Sequence, residues 1–366
     1  MAVKNSKRIF YFDALRALAI LAVVLIHAFG KSTWDIIISN YGVIPSLNWF
    51  LAAFDNNCLR IGVCLFLMLS GALSLGREWD IKSFLGRRLP RIVGPFLFWG
   101  LVISFSMILL APYLPFEVIP SFDLNTIAMF IYQNFMSTGS LFTYQYWFFW
   151  MILGTYLIMP IFNKWILHAS QGEIEYFLVI WLVTCLFTFT LGYDFPIKLV
   201  YFTSPIGLVV AGYYLRYTER DILNNPYFDI ALIVLSMVAL MIIAYLYSTP
   251  ESLYKMDRYS ILTAIEVIGI FLLFKNFNKL GINLHIADNP DNIIHKMVFS
   301  LAKYSYGIYL SHSVFLTCFS LALYSWGCMH YKLFVFFLFI SSLCLSWGLL
   351  ILLNRIPYVN KVIGAK

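Results

Sequence analysis

The chain has 366 residues, of which 61% are hydrophobic and only 12% charged, where an ordinary soluble domain carries about a quarter charged residues. This balance argues against a water-soluble protein, and apolar residues grouped in long blocks argue against a transmembrane β-barrel, which would alternate in short segments. The net charge of +7 lies beside the hydrophobic blocks, where it reads as a topology signal rather than a nucleic-acid surface.

In chain order, apolar stretches of bilayer length fall at about 9–29, 58–76, 92–111, 146–163, 174–191, 198–215, 228–247, 259–275, 297–321 and 332–353. The fold class expected is all-α, a polytopic transmembrane bundle of about ten membrane-spanning helices. The first span contains Asp13 and Arg16 and lacks a small-residue cleavage site before Lys31, so it is expected to be retained. The stretch from Leu124 to Phe135 is too short to span and is expected at the interface or as a re-entrant segment. No repeat or large hydrophilic block marks a second domain. Cys58, Cys64, Cys185, Cys318, Cys328 and Cys344 form no CxxC pair and read as small packing residues.

Lys and Arg concentrate in segments that would be cytoplasmic if the N-terminus is cytoplasmic. The opposite segments carry only Lys31, Lys198, Lys255, Arg258 and Lys332, and the stretch from Pro112 to Gln145 has neither residue. An even number of spans then places both termini in the cytoplasm.

Ionisable groups at membrane depth are costly and therefore candidates for function. In the first span Asp13, Arg16, Ile20, Val23 and His27 recur at spacings of three and four and share one face. Arg16 and His27 lie about 16 Å apart along the axis, which would link an anion-binding group near the inside to a titratable base near the outside. The alternative is that Asp13 and Arg16 pair and snorkel while His27 bonds a neighbour. Arg87-Arg88-Leu89-Pro90-Arg91 is expected as a cytoplasmic loop before the third span. It serves either as a topology signal or, through Arg88 and Arg91, as a phosphate dock. In the ninth span Ser305, Tyr309 and His312 share a face beside Lys303, for catalysis or for interhelical hydrogen bonds. Glu266 and Arg60 are weaker candidates, as partners of each other or of Lys303, and Asp229 is expected at the interface. His285, Asp288, Asp291 and His295 lack metal-ligand spacing and read as solvated loop residues, so no metal site is expected.

Several of these stretches together resemble the acyltransferase-3 family. They are Tyr11-Phe12-Asp13-Ala14-Leu15-Arg16 followed by His27, Leu65–Leu73, Arg88-Leu89-Pro90-Arg91, Tyr146-Trp147-Phe148-Phe149, and Tyr304–His312. They occur in the family's order over nearly the whole chain. The resemblance implies a single integral membrane acyltransferase domain over 1–366, of the standalone kind. It would move an acyl group, usually acetyl, from cytoplasmic acyl-CoA to a glycan hydroxyl on the outer side of the bacterial cell membrane.

The implied partners are acyl-CoA as donor substrate, a glycan or lipid-linked glycan acceptor, and the lipid bilayer, with no tightly bound cofactor, no nucleic acid and the oligomeric state open. His27 carries over as the essential catalytic histidine and Arg16, Arg88 and Arg91 as the matched arginines, with Arg88 and Arg91 expected to bind the donor and Arg16 expected among the catalytic residues, binding the donor or orienting the channel. His312 or a nearby hydroxyl is expected to stabilise the oxyanion. Tyr146, Trp147, Ser305 and Tyr309 are expected to line the substrate path. The alternative class is a multi-helix transporter of a glycan precursor or small metabolite, although the paired repeats common in transporters are not apparent.

Overall fold

The computed structural model describes residues 9–30, 45–113, 117, 119–138, 142–193, 200, 205–249, 251, 254–280, 289–325 and 331–365. Among them the chain is helical and forms no β-strand. The α-helices are α1 (Phe10–Phe29), α2 (Leu47–Cys58), α3 (Ile61–Ser74), α4 (Ile81–Leu110), α5 (Leu124–Met136) and α6 (Trp147–His168). They are followed by α7 (Gln171–Phe187), α8 (Ile206–Tyr217), α9 (Pro226–Tyr247), α10 (Ile261–Asn276), α11 (Ile293–Ser325) and α12 (Tyr331–Leu353).

Seven segments among the described residues are long and apolar enough to cross a bilayer: Phe10–Phe29, Leu47–Ser74, Ile81–Leu110, Tyr144–His168, Pro226–Tyr247, Ile261–Leu280 and Tyr331–Leu353. The three other expected spans fall on α7, with 17 residues, α8, with 12, and the 33-residue α11. Residues 198, 199 and 201–204 of the expected sixth span lie outside the described residues. α5, with 13 residues, is about 20 Å long, too short for a hydrocarbon core of about 30 Å.

α1 has 61% of its apolar window buried and the Leu47–Ser74 segment 67%, against 17% for α9. The outer helices expose Val234, Leu235, Val238, Ile242, Phe336 and Phe337, a surface suited to lipid and untenable in water. α1 packs chiefly on α11 and α3, and α3 on α8. Small residues permit these approaches, as membrane helix pairs generally require. A Cβ on Gly62 would stand 2.8 Å from the Ala19 carbonyl. A Cβ on Gly71 would stand 1.7 Å from the Val209 carbonyl, and one on Gly212 2.0 Å from that of Met68.

Two helices start earlier than the hydropathy suggests, because polar caps precede the apolar runs. Asp80 accepts from Ser83 N at 3.1 Å, so α4 begins at Ile81 and the Arg88–Arg91 motif is helical rather than a loop. Asn292 accepts from Ile294 N at 2.8 Å, which puts His295 in the first turn of α11. There its ring stacks on Phe10 at 5.0 Å instead of facing solvent. Asp291 is exposed and paired with Lys296 at 3.1 Å, while His285 and Asp288 lie outside the described residues. Asp229, in the first turn of α9, is fully buried against its neighbours and accepts from Asn276 Nδ2 at 2.8 Å. Cys58, Cys64 and Cys185 are buried free thiols, Cys318 and Cys344 exposed ones, and Cys328 lies outside the described residues.

Candidate active site

Two cavities occupy the α1 seam. The first, near the N-terminal half of α1, has a volume of about 380 Å³ and is lined by Arg16 of α1, Arg88 and Arg91 of α4, and Lys303 of α11. Among the described residues no carboxylate lines it. Arg88 and Arg91, three residues apart, face it together, whereas Arg87 turns back to the Ser83 carbonyl at 2.9 Å. Arg88 donates to Ser74 Oγ at 2.6 Å, with its guanidinium about 6 Å from the Phe84 and Tyr156 rings. Arg16 lies 3.4 Å from the buried Asp13 carboxylate. Four cations on one wall, two of them, Arg88 and Lys303, against aromatic rings, form an arrangement that can hold a polyanion.

The second cavity, at the C-terminal end of α1, measures about 280 Å³. His27, Arg60, Arg258, Tyr144, Gln145 and Trp147 stand on its wall. His27 Nδ1 lies 2.8 Å from His312 Nε2, and the two rings are parallel within 6°. His312 is fully buried, and its Nδ1 lies 2.9 Å from the Ile308 and Tyr309 carbonyls. Carbonyls only accept, so this nitrogen carries the hydrogen of a neutral His312 and Nε2 is the acceptor. His27 Nδ1–H then donates to His312, and its lone pair is on Nε2, the nitrogen free to act as a base.

Tyr309 borders both cavities. Its hydroxyl donates to the Gln145 carbonyl, and its ring meets Phe148 edge-on at 5.1 Å. The α1 stripe from Arg16 to His27 and the α11 stripe from Ser305 to His312 thus lie side by side, with Tyr309 common to the two cavities. The Asp13–Arg16 contact and the His27 hydrogen bond anticipated as a purely structural arrangement are both present. The cavities at each end are the additional feature.

The geometry places the expected site residues as follows. Both ring nitrogens of His312 are engaged, Nε2 with His27 and Nδ1 with the Ile308 and Tyr309 carbonyls. Tyr146 is fully buried, directs its hydroxyl to the Leu310 carbonyl at 3.4 Å, and lines neither cavity. Trp147, its neighbour, does line the second one. Ser305 lines the first cavity but turns its hydroxyl to the Ala302 carbonyl at 3.0 Å. Arg60 donates to Asn56, with Nε 2.8 Å from the backbone carbonyl, and does not pair with Glu266. Both Glu266 carboxylate oxygens are buried without a hydrogen-bond partner among the described residues. Arg258, Tyr144 and Gln145 carry no signal in the sequence as site residues, whereas Lys303, a cation inside a span, already stood out beside the Ser305–His312 face.

A multi-pass helical membrane protein with two cation-lined cavities beside its first helix is the class that this fold and site define. Residues 9–351 match an acyltransferase domain, that of the acyltransferase-3 family. The chain belongs to that family and is a membrane acyltransferase. No curated protein and no solved structure gives a significant match.

Proposed function

We propose that the protein is an O-acyltransferase that moves an acyl group, acetyl in the first instance, from cytoplasmic acyl-CoA to a hydroxyl of a cell-surface glycan or its lipid-linked precursor. The proposal includes ten spans with both termini cytoplasmic, so that the basic cavity faces the donor and the His27 cavity the acceptor. The observation that carries it is the pair of cavities sharing Tyr309, one lined by Arg16, Arg88, Arg91 and Lys303 and the other by the backed imidazole of His27. A coenzyme A donor keeps its phosphates on the arginines, because moving them into hydrocarbon is prohibitively costly. Its slender pantetheine arm reaches past Tyr309 and presents the thioester to His27.

His27 Nε2 takes the proton of the acceptor hydroxyl as the oxygen attacks the thioester carbonyl. The tetrahedral intermediate collapses with loss of the C–S bond, and the leaving thiolate recovers the proton from His27. His312 fixes the tautomer and ring orientation throughout and accepts a stronger hydrogen bond once His27 is charged. A covalent acyl-histidine on the same Nε2 would use the same geometry.

The test is incubation of membranes with labelled acetyl-CoA and glycan extracts, for wild-type and His27→Ala protein. Loss of transfer by about 10²–10⁴-fold at normal expression is expected. A fully active His27→Ala protein would end the reading, as would substrate counterflow without any acyl transfer.

A further inference from the structure

Building on the assignment of the His27 cavity as the acceptor site, the geometry points to an acceptor bearing an anionic oxygen group. A sugar carboxylate or a glycosyl phosphate would be held by Arg258 and Arg60 beside the hydroxyl to be acylated.

Arg258 sits just before α10, with its guanidinium carbon 3.9 Å from the centroid of the Trp147 ring. That contact occupies the face of the guanidinium and leaves its edge, where all five N–H donors lie. The Arg258 side chain makes no hydrogen bond or ion pair among the described residues, and it is half-buried on the cavity wall. A carboxylate or phosphate in the cavity would engage two of those donors at once.

Arg60 contributes a second guanidinium to the same wall. Its Nε and Nη2 are spent on Asn56, which fixes the side chain and leaves Nη1 for a ligand. Asp55 and Asp257 act electrostatically on Arg60, but neither lines the cavity. Asp257 instead accepts from Tyr259 N at 2.7 Å. Among the described residues the wall thus carries two guanidinium groups and no carboxylate.

Gln145 adds a neutral element. Its amide nitrogen donates to Ser313 Oγ at 2.7 Å, which holds the residue in place on the wall and keeps it from adding charge there. The volume of about 280 Å³ is at the small end for ligand sites, the scale of one sugar unit.

The test is equilibrium binding of D-glucuronate, glucose 1-phosphate and glucose to the full-length protein in lipid nanodiscs. At least one anionic sugar is expected to bind ten-fold or more tightly than glucose, and the better of the two identifies the group. The difference should disappear in Arg258→Gln and survive in Arg88→Ala/Arg91→Ala, which strips cations from the other cavity. Equal binding of all three sugars, or a preference lost in the Arg88/Arg91 variant instead, overturns the inference. Transfer from labelled acetyl-CoA, measured on the same preparation, separates the two claims. Transfer without an anion preference sinks this inference alone, and binding without transfer sinks only the acyltransferase step.

Discussion

The His27–His312 pair offers the sharpest test of the chemistry. His312→Ala removes one hydrogen bond of 2.8 Å to His27 Nδ1 and leaves the putting-on and taking-off of the proton at Nε2 untouched. A neutral hydrogen bond of this kind contributes about 0.5–1.5 kcal/mol, and one to a charged group about 1.5–3. His27 is neutral in the ground state and cationic in the transition state, so the difference, about 1–2 kcal/mol, is what His312 adds to catalysis. That corresponds to a loss of roughly 5–30-fold in kcat, with the KM for acyl-CoA nearly unchanged because His312 touches neither cavity. Deleting the base itself costs about 10²–10⁴-fold. His312→Gln, which retains an acceptor, should recover part of the loss. The assay is steady-state transfer from labelled acetyl-CoA with purified His27→Ala, His312→Ala and the double variant. Because His312 acts through His27, the double variant should be no slower than His27→Ala. Multiplicative losses, or a His312→Ala protein as slow as His27→Ala while still folded, would refute the positioning role.

Other consequences follow from the same geometry. Arg88→Ala with Arg91→Ala should raise the KM for acyl-CoA by at least about ten-fold, from lost charge-assisted bonds of about 1.5–3 kcal/mol each, and change the KM for the acceptor much less; titration of each substrate checks this. Tyr309→Ala, by removing the ring that borders both cavities, should raise acyl-CoA hydrolysis relative to transfer, read as free thiol released per acylated product. Gly71→Ala should lower the melting temperature in detergent, since its Cβ would stand 1.7 Å from the Val209 carbonyl and overpacking costs about 1–3 kcal/mol. Gly154→Ala, with nothing within 4 Å, should not lower it.

A pH effect is expected at Asp123, which caps α5 by accepting from Asn125 N and Thr126 N at 3.0 and 3.1 Å. Hydrogen bonds from Ser121 and Thr126 hold its carboxyl below the usual carboxylate range. A depressed folded-state pKa gives stability that is complete above the unfolded value of about 3.9 and is lost as pH falls below it. Amide exchange of Asn125 and Thr126, corrected for intrinsic rate, should therefore be equally protected at pH 7 and pH 5. Loss of protection within that interval would contradict the cap.

The sequence alone determined what is local to one helix. Long apolar blocks require membrane-length helices, and a spacing of three or four residues places Arg16 with His27, Arg88 with Arg91, and Ser305 with His312 on common faces, because 3.6 residues make a turn. Helix starts were less legible, since the caps Asp80 and Asn292 lie outside the apolar runs. Tertiary packing alone decided which stripes meet. His27 and His312 are 285 residues apart, and their contact follows from α1 lying against α11. The four cations of the basic cavity come from three helices, and Arg258 joins the site only because Trp147 supplies a ring beneath it. The same packing sends Trp147 to a cavity and its neighbour Tyr146 into the core, since successive side chains on a helix point about 100° apart and the surrounding helices decide which faces open space. Those neighbours are set by close backbone approaches at Gly62, Gly71 and Gly212, whose partners are distant in sequence and leave no periodic signal.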